Sequence, residues 1–168
     1  MIYEFPPPNA PLDQGDIVEG CPILQILTFD PQSPESPQVA CSTHRIVVLT
    51  QTCDLANQKT QRITVAIVHD AQFLVERDIV RTADVRGPIR AGRVYGWYFL
   101  PHCHECDLPE SIVDLRQLYT IPRDVLNSLC TAGRRKARIQ PLYREHLAKH
   151  FADTFSRIGL PEPYDTVE

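Results

Sequence analysis

The sequence predicts a mainly β domain that carries some helix, with an amphipathic helix added at its C-terminal end, and three observations predict it. The runs Arg45-Ile46-Val47-Val48-Leu49-Thr50-Gln51 and Ile63-Thr64-Val65-Ala66-Ile67-Val68 are β-branched, too short and too uniformly apolar for amphipathic helices. Pro31, Pro34 and Pro37, and later Gly87-Pro88, fall between such runs and end regular structure. A sustained helical period comes near the C-terminus, where Tyr143, Leu147, Phe151, Phe155 and Ile158 recur on one face.

Taken in order, residues 1–13 carry Pro6, Pro7, Pro8 and Pro11, which fix an extended arm lying on the surface. The domain starts near Gln14, and residues 14–130 form its body. Gly15-Asp16-Ile17-Val18-Glu19-Gly20 reads as a turn entering a first strand, which Ile23 to Leu27 continues after a bend at Pro22. A loop over 30–38 leads to the strand Arg45–Gln51, expected to be buried on both faces. Ile63–Val68 is the next strand, Phe73, Leu74, Ile79 and Val80 allow a short helix within 71–84, and Val94–Leu100 is an aromatic-rich strand. Ile112–Leu115 is another strand. Pro122 near a first turn predicts a short helix to Leu129. Residues 131–168 hold a basic connection and the last helix, opened by Pro141 and closed by Gly159 and Pro161.

At 168 residues the chain is long enough to bury a core as one domain, and its 43% hydrophobic and 23% charged residues fit a soluble globular class. No stretch has the length of apolar residues needed to cross a bilayer, and the N-terminus lacks a basic leader followed by an apolar core, so a cytoplasmic location without membrane contact is expected. Six cysteines then fit reduced thiols or a metal better than a disulfide framework. The net charge of -4 excludes nucleic-acid binding through the overall field, leaving the local run Arg134, Arg135, Lys136 and Arg138 as the candidate RNA contact.

Two spacings carry metal chemistry. Cys41-Ser42-Thr43-His44 and Cys103-His104-Glu105-Cys106 each set two soft ligands three positions apart, so Cys41, His44, Cys103 and Cys106 would close a structural zinc site. The first pair precedes one apolar run and the second follows another, so neighbouring antiparallel strands would bring them together, with His102 and His104 competing for the imidazole position. A different chemistry is possible at Gln51-Thr52-Cys53-Asp54-Leu55, a polar cluster closing a buried strand. There Cys53 is a candidate nucleophile if a cation or imidazole lowers its pKa, and Thr52 and Asp54 otherwise satisfy turn amides.

The order Gly15-Asp16-Ile17-Val18, Arg45-Ile46-Val47-Val48-Leu49, Val65-Ala66-Ile67-Val68, followed by the stretch from Ser111 to Leu126, resembles the MazF/PemK family of toxin endoribonucleases over residues 14–128. The resemblance implies a small SH3-like barrel and metal-independent cleavage of single-stranded RNA in a bacterial stress or defence system. The family's arginine falls on Arg45, and its threonine position holds Val68. His69 and Asp70 follow as acid or base candidates beside Cys53 and Asp54, although alternation points His69 away from the face of Val68. The alternative expectation is a catalytically inactive barrel that binds a protein partner or acts as a sensor, with a homodimer among the possible assemblies.

Overall fold

Alternation along the apolar runs sends successive side chains to opposite faces of a sheet, and both faces are covered. The computed structural model describes residues 2–156. Its strands are β1 (Tyr3–Glu4), β2 (Asp16–Thr28), β3 (Gln38–Val48), β4 (Arg62–Asp70), β5 (Trp97–Leu100), β6 (Ser111–Pro122) and β7 (Arg135–Ile139). They form one antiparallel sheet in the order β1-β7-β2-β3-β4-β6-β5. The helices are α1 (Thr52–Ala56), α2 (Ala71–Glu76), α3 (Thr82–Asp84), which runs into a π-helical turn at Val85–Ile89, α4 (Arg123–Thr131) and α5 (Pro141–Phe155). The mainly β class with a C-terminal helix is as the sequence predicts.

One face of the sheet joins Ile17, Val47, Ala66, Val68, Val113, Leu115 and Ile139 in a single core closed by Leu147 of α5. The other face joins Val18, Ile46, Val48, Val65 and Ile67 to Leu126 of α4 and Leu55 of α1. Ile46, Val47 and Val48 are therefore all fully buried, as the unbroken apolar run requires. A smaller core beneath α2 and the π turn packs on Trp97 and Ile112. β1 and β5 are the two edge strands, yet the Tyr3 hydroxyl donates to the Pro101 carbonyl at 2.7 Å, so the sheet curls until its edges approach.

Several expectations are corrected. β3 is longer than the run Arg45–Gln51, and Cys41 and His44 lie within it rather than in a tight turn. Residues 51–55 do not end a strand but start α1, and the strand at Ile112 continues to Pro122. β2 bends at a bulge between Val18 and Cys21, where Gly20 takes φ of 73°, instead of at Pro22. The basic connection is strand β7. In α5 the buried residues are Leu147 and His150, with Phe151 half-buried and Tyr143 and Phe155 exposed. Ile158, Gly159 and Pro161 lie outside the described residues.

The proline arm is held by charge. Asp16 is fully buried at the start of β2 and accepts two hydrogen bonds from Arg138, at 2.7 and 3.0 Å. Arg138 Nη2 also donates to the Pro11 carbonyl, and Arg135 donates to the carbonyls of Pro7 and Ala10. Arg135 Nε lies 3.4 Å from Asp16 but out of hydrogen-bond alignment, a buried donor left unpaired.

Replacing Asp16 with alanine would bury two guanidinium groups without their carboxylate. The expected outcome is a loss of about 3–5 kcal/mol in urea unfolding, together with proteolytic release of the arm. An unchanged midpoint would refute the assignment of this ion network as the arm's anchor.

Candidate functional site

Four neighbouring strands set a row of polar side chains on the face of Ile46 and Ile67. Ile46 lies opposite Ile67, and two residues further along each strand the same face carries His44 and His69. Asp114 lies opposite both Ile67 and Trp97, and completes the row in β6. Asp114 is buried and grips Arg116 through two oxygens, each at 2.9 Å. The guanidinium stacks 3.7 Å above the Trp97 ring. Gly96, with φ of 83°, makes room for it, because a Cβ there would stand 2.5 Å from Arg116 Cγ.

The electrostatics of the row follow from burial. Desolvation is the largest influence on His69 and pushes its pKa below the ordinary histidine value; Asp114 opposes this, while His44 and Arg116 add to it. The His44 ring lies 2.7 Å from the Ser42 hydroxyl. The row thus offers a neutral imidazole and a half-exposed, rigidly held guanidinium. Asp114, Arg116 and Trp97 were missed in the sequence, although a lone Asp in the run Ile112-Val113-Asp114-Leu115 was the available signal.

The residues expected from the sequence are not gathered in one place. Arg45 sits on the opposite face from His69 and donates to Glu19 at 2.7 Å. Val68 is in the core, and His69 does point away from it. Cys53 and Asp54 follow β3 at the Arg62 end of β4, whereas His69 and Asp70 stand at its other end, on the order of 20 Å along the strand. Asp54 pairs with Lys59 at 3.3 Å, Cys53 is exposed, and Asp70 caps α2 by accepting from the Gln72 amide at 2.8 Å. Of the basic run, Arg135 and Arg138 turn inward to Asp16 and the arm, while Arg134 is exposed and Lys136 half-buried.

The cysteine pairs also lie apart. β4 and β6 separate β3, which holds Cys41 and His44, from β5, which leads into the Cys103–Cys106 turn. Cys103 and Cys106 are buried in the core on the face opposite His44, in a turn closed by the Cys103–Leu108 bridge. Burial and the adjacent Cys103 push the Cys106 thiol up to about 12. Cys41 is exposed, and among the described residues no group of three or more His, Cys, Asp and Glu side chains is gathered as a metal set.

Beyond this row, an apolar groove of about 580 Å³ lies between β2, the second half of β6 and α4. Pro22, Ile23, Leu118, Ile121 and Val125 line it, with Arg62 at its side. Arg62 donates to the Thr120 hydroxyl and carbonyl at 3.1 and 3.3 Å, and among the described residues no carboxylate pairs with it. A second, polar cleft of about 710 Å³ lies between the arm, α1 and α4, but its Arg123 and Arg138 are already bonded to backbone carbonyls and Asp16.

His69 and His150 both have pKa values lowered by burial, so each binds its proton less tightly in the folded chain than in the unfolded one. Their contribution to stability is therefore complete above the unfolded histidine value and is lost as pH falls through it toward the folded values. Nuclear magnetic resonance titration is expected to place both below about 6.5, and His69→Gln is expected to flatten the acid limb of stability. A His69 titration above the ordinary value would contradict this environment.

No helix among the described residues is long and apolar enough to cross a membrane. No family model matches the chain, and no curated protein matches it.

Proposed function

We propose that this chain is a protein-interaction module built on a divergent SH3-like barrel of the MazF/PemK kind, rather than an RNA-cleaving member of that family. The curl of the sheet, with its edge strands tied through Tyr3 and Pro101, supports the barrel reading. The groove beside α4 carries the functional reading: it is apolar, open, and flanked by Arg62, a cation with no carboxylate partner among the described residues. Apolar lining with a few placed polar groups is the usual chemistry of a recognition site. The occupant that fits is a segment of a partner protein presenting a bulky apolar side chain next to a carboxylate.

Three further observations favour binding over RNA cleavage. Arg45 is held by Glu19, Val68 is enclosed in the core, and two of the four basic residues of the run Arg134–Arg138 serve the arm. What that run leaves to solvent, Arg134 and part of Lys136, is too little positive charge to offset a net charge of -4.

The reading is tested by titrating the protein with short peptides that place Leu or Phe beside Asp, and separately with single-stranded RNA. Acidic apolar peptides are expected to shift the resonances of Leu118, Tyr119 and Val125. Arg62→Ala should weaken binding about 5-fold, roughly 1 kcal/mol, and Val125→Glu should abolish it. Cleavage or tight binding of RNA that disappears in Arg45→Ala would overturn the proposal in favour of the nuclease.

A further inference from the structure

We infer that the outer half of the β2–β3 ribbon is a self-association surface whose occupant is the same ribbon of a second copy of this chain. This surface differs from the groove, with which it shares only Leu24. The register sets Leu24 directly opposite Cys41, and Ile26 directly opposite Val39. Alternation puts all four on one face, the face away from Ile23, which is fully buried in the core. Leu24 is 70% exposed, Ile26 66% and Val39 59%, and Cys41 is exposed as well.

Nothing in the described chain covers this block. β7 pairs with β2 only at Asp16–Val18, and β4 pairs with β3 only at Ile46–Val48, so beyond Cys21 and His44 the ribbon is two strands wide. A two-stranded ribbon with an apolar face in water is marginal by itself.

The chemistry of the block selects a second copy as its cover. A two-fold contact requires a surface complementary to itself, and a flat cross-strand apolar block meets that condition. Between Pro22 and Thr43 the ionised side chains are Asp30 and Glu35, both in the loop that joins the two strands, so two copies meet here without setting like charges against the block. Leu27 and Phe29, 62% and 57% exposed, extend the apolar surface at the ribbon's end, past the register shift that follows Ile26. A stable interface needs on the order of 600 Å² from each copy, about 1,200 Å² in total, which the block reaches when Leu27 and Phe29 at the ribbon's end join it.

The test is the mass of the full chain in solution, measured by analytical ultracentrifugation from low micromolar to near-millimolar concentration. A concentration-dependent dimer is expected, and the double variant Ile26→Lys with Val39→Lys should raise its dissociation constant by about 30-fold or more. Both side chains are exposed in the single chain, so an unchanged melting temperature at dilution shows that the variant folds. In a Cys53→Ser background, a short thiol-reactive cross-linker should trap the dimer through Cys41, and Cys41→Ser should remove the product. A monomer at every concentration, a dimer unaffected by the two lysines, or a dimer that Cys41 cannot cross-link would overturn the inference. Each result is independent of peptide binding at the groove.

Discussion

The ion pair between the buried carboxylate of Asp16 and the guanidinium of Arg138 joins the two ends of the chain. Asp16 opens β2 while Arg138 lies in β7, so the contact closes the sheet beside its longest strand. The same guanidinium reaches the Pro11 carbonyl, and Arg135 and Arg144 extend the network to Pro7, Ala10 and Asp13. The arm joins the sheet only through β1, and past it the prolines leave few amide donors, so arginine side chains bind the carbonyls of that stretch. Burial alone would lower the Arg138 pKa, but Asp16, Asp13 and Glu4 together hold it above the ordinary value. The cost of burying these charges is thus offset by geometry, and the arm is fixed as part of the fold.

That constraint explains why the basic run misleads when read as a line of text. In sequence, four cations within five residues look like a mobile phosphate-binding connection. In the folded chain an irregularity in β7 divides them: the register slips between the Ile17–Ala137 and Val18–Arg135 pairs, so that Arg135 and Arg138, which simple alternation would part, both reach the buried carboxylate of Asp16. The partner acid lies more than a hundred residues away, and no local pattern announces it. The same holds for Asp114 and Arg116, whose setting depends on Trp97 and Gly96 from another strand.

Where one strand determines the answer, the sequence was legible. The β-branched run from Ile46 to Leu49 specifies burial on both faces without knowledge of its neighbours, and Pro122 does precede a helix. The direction of His69 away from Val68 follows from alternation alone. Strand order was not legible: Cys41 and His44 appeared close to Cys103 and Cys106 only if β3 and β5 were neighbours, and two strands intervene. The length of the β2–β3 ribbon was hidden for a related reason. Its loop prolines lie between Asp30 and Pro37, and the polar Gln38, Ser42 and Thr43 mask a strand whose pairing partner is needed to recognise it.

The exposed half of that ribbon and the enclosed charges follow from one distribution of residues. Arginines that would ordinarily cover the surface are drawn inside by Asp16 and Asp13, and Arg45 is turned to Glu19. Apolar side chains that would ordinarily fill a core stand outside it, at Leu24, Ile26 and Val39. Charge held internally adds little to long-range attraction of a phosphate backbone, whereas apolar surface left outside gains free energy whenever another surface covers it. That distribution is the physical ground for the proposed contact with protein rather than with nucleic acid.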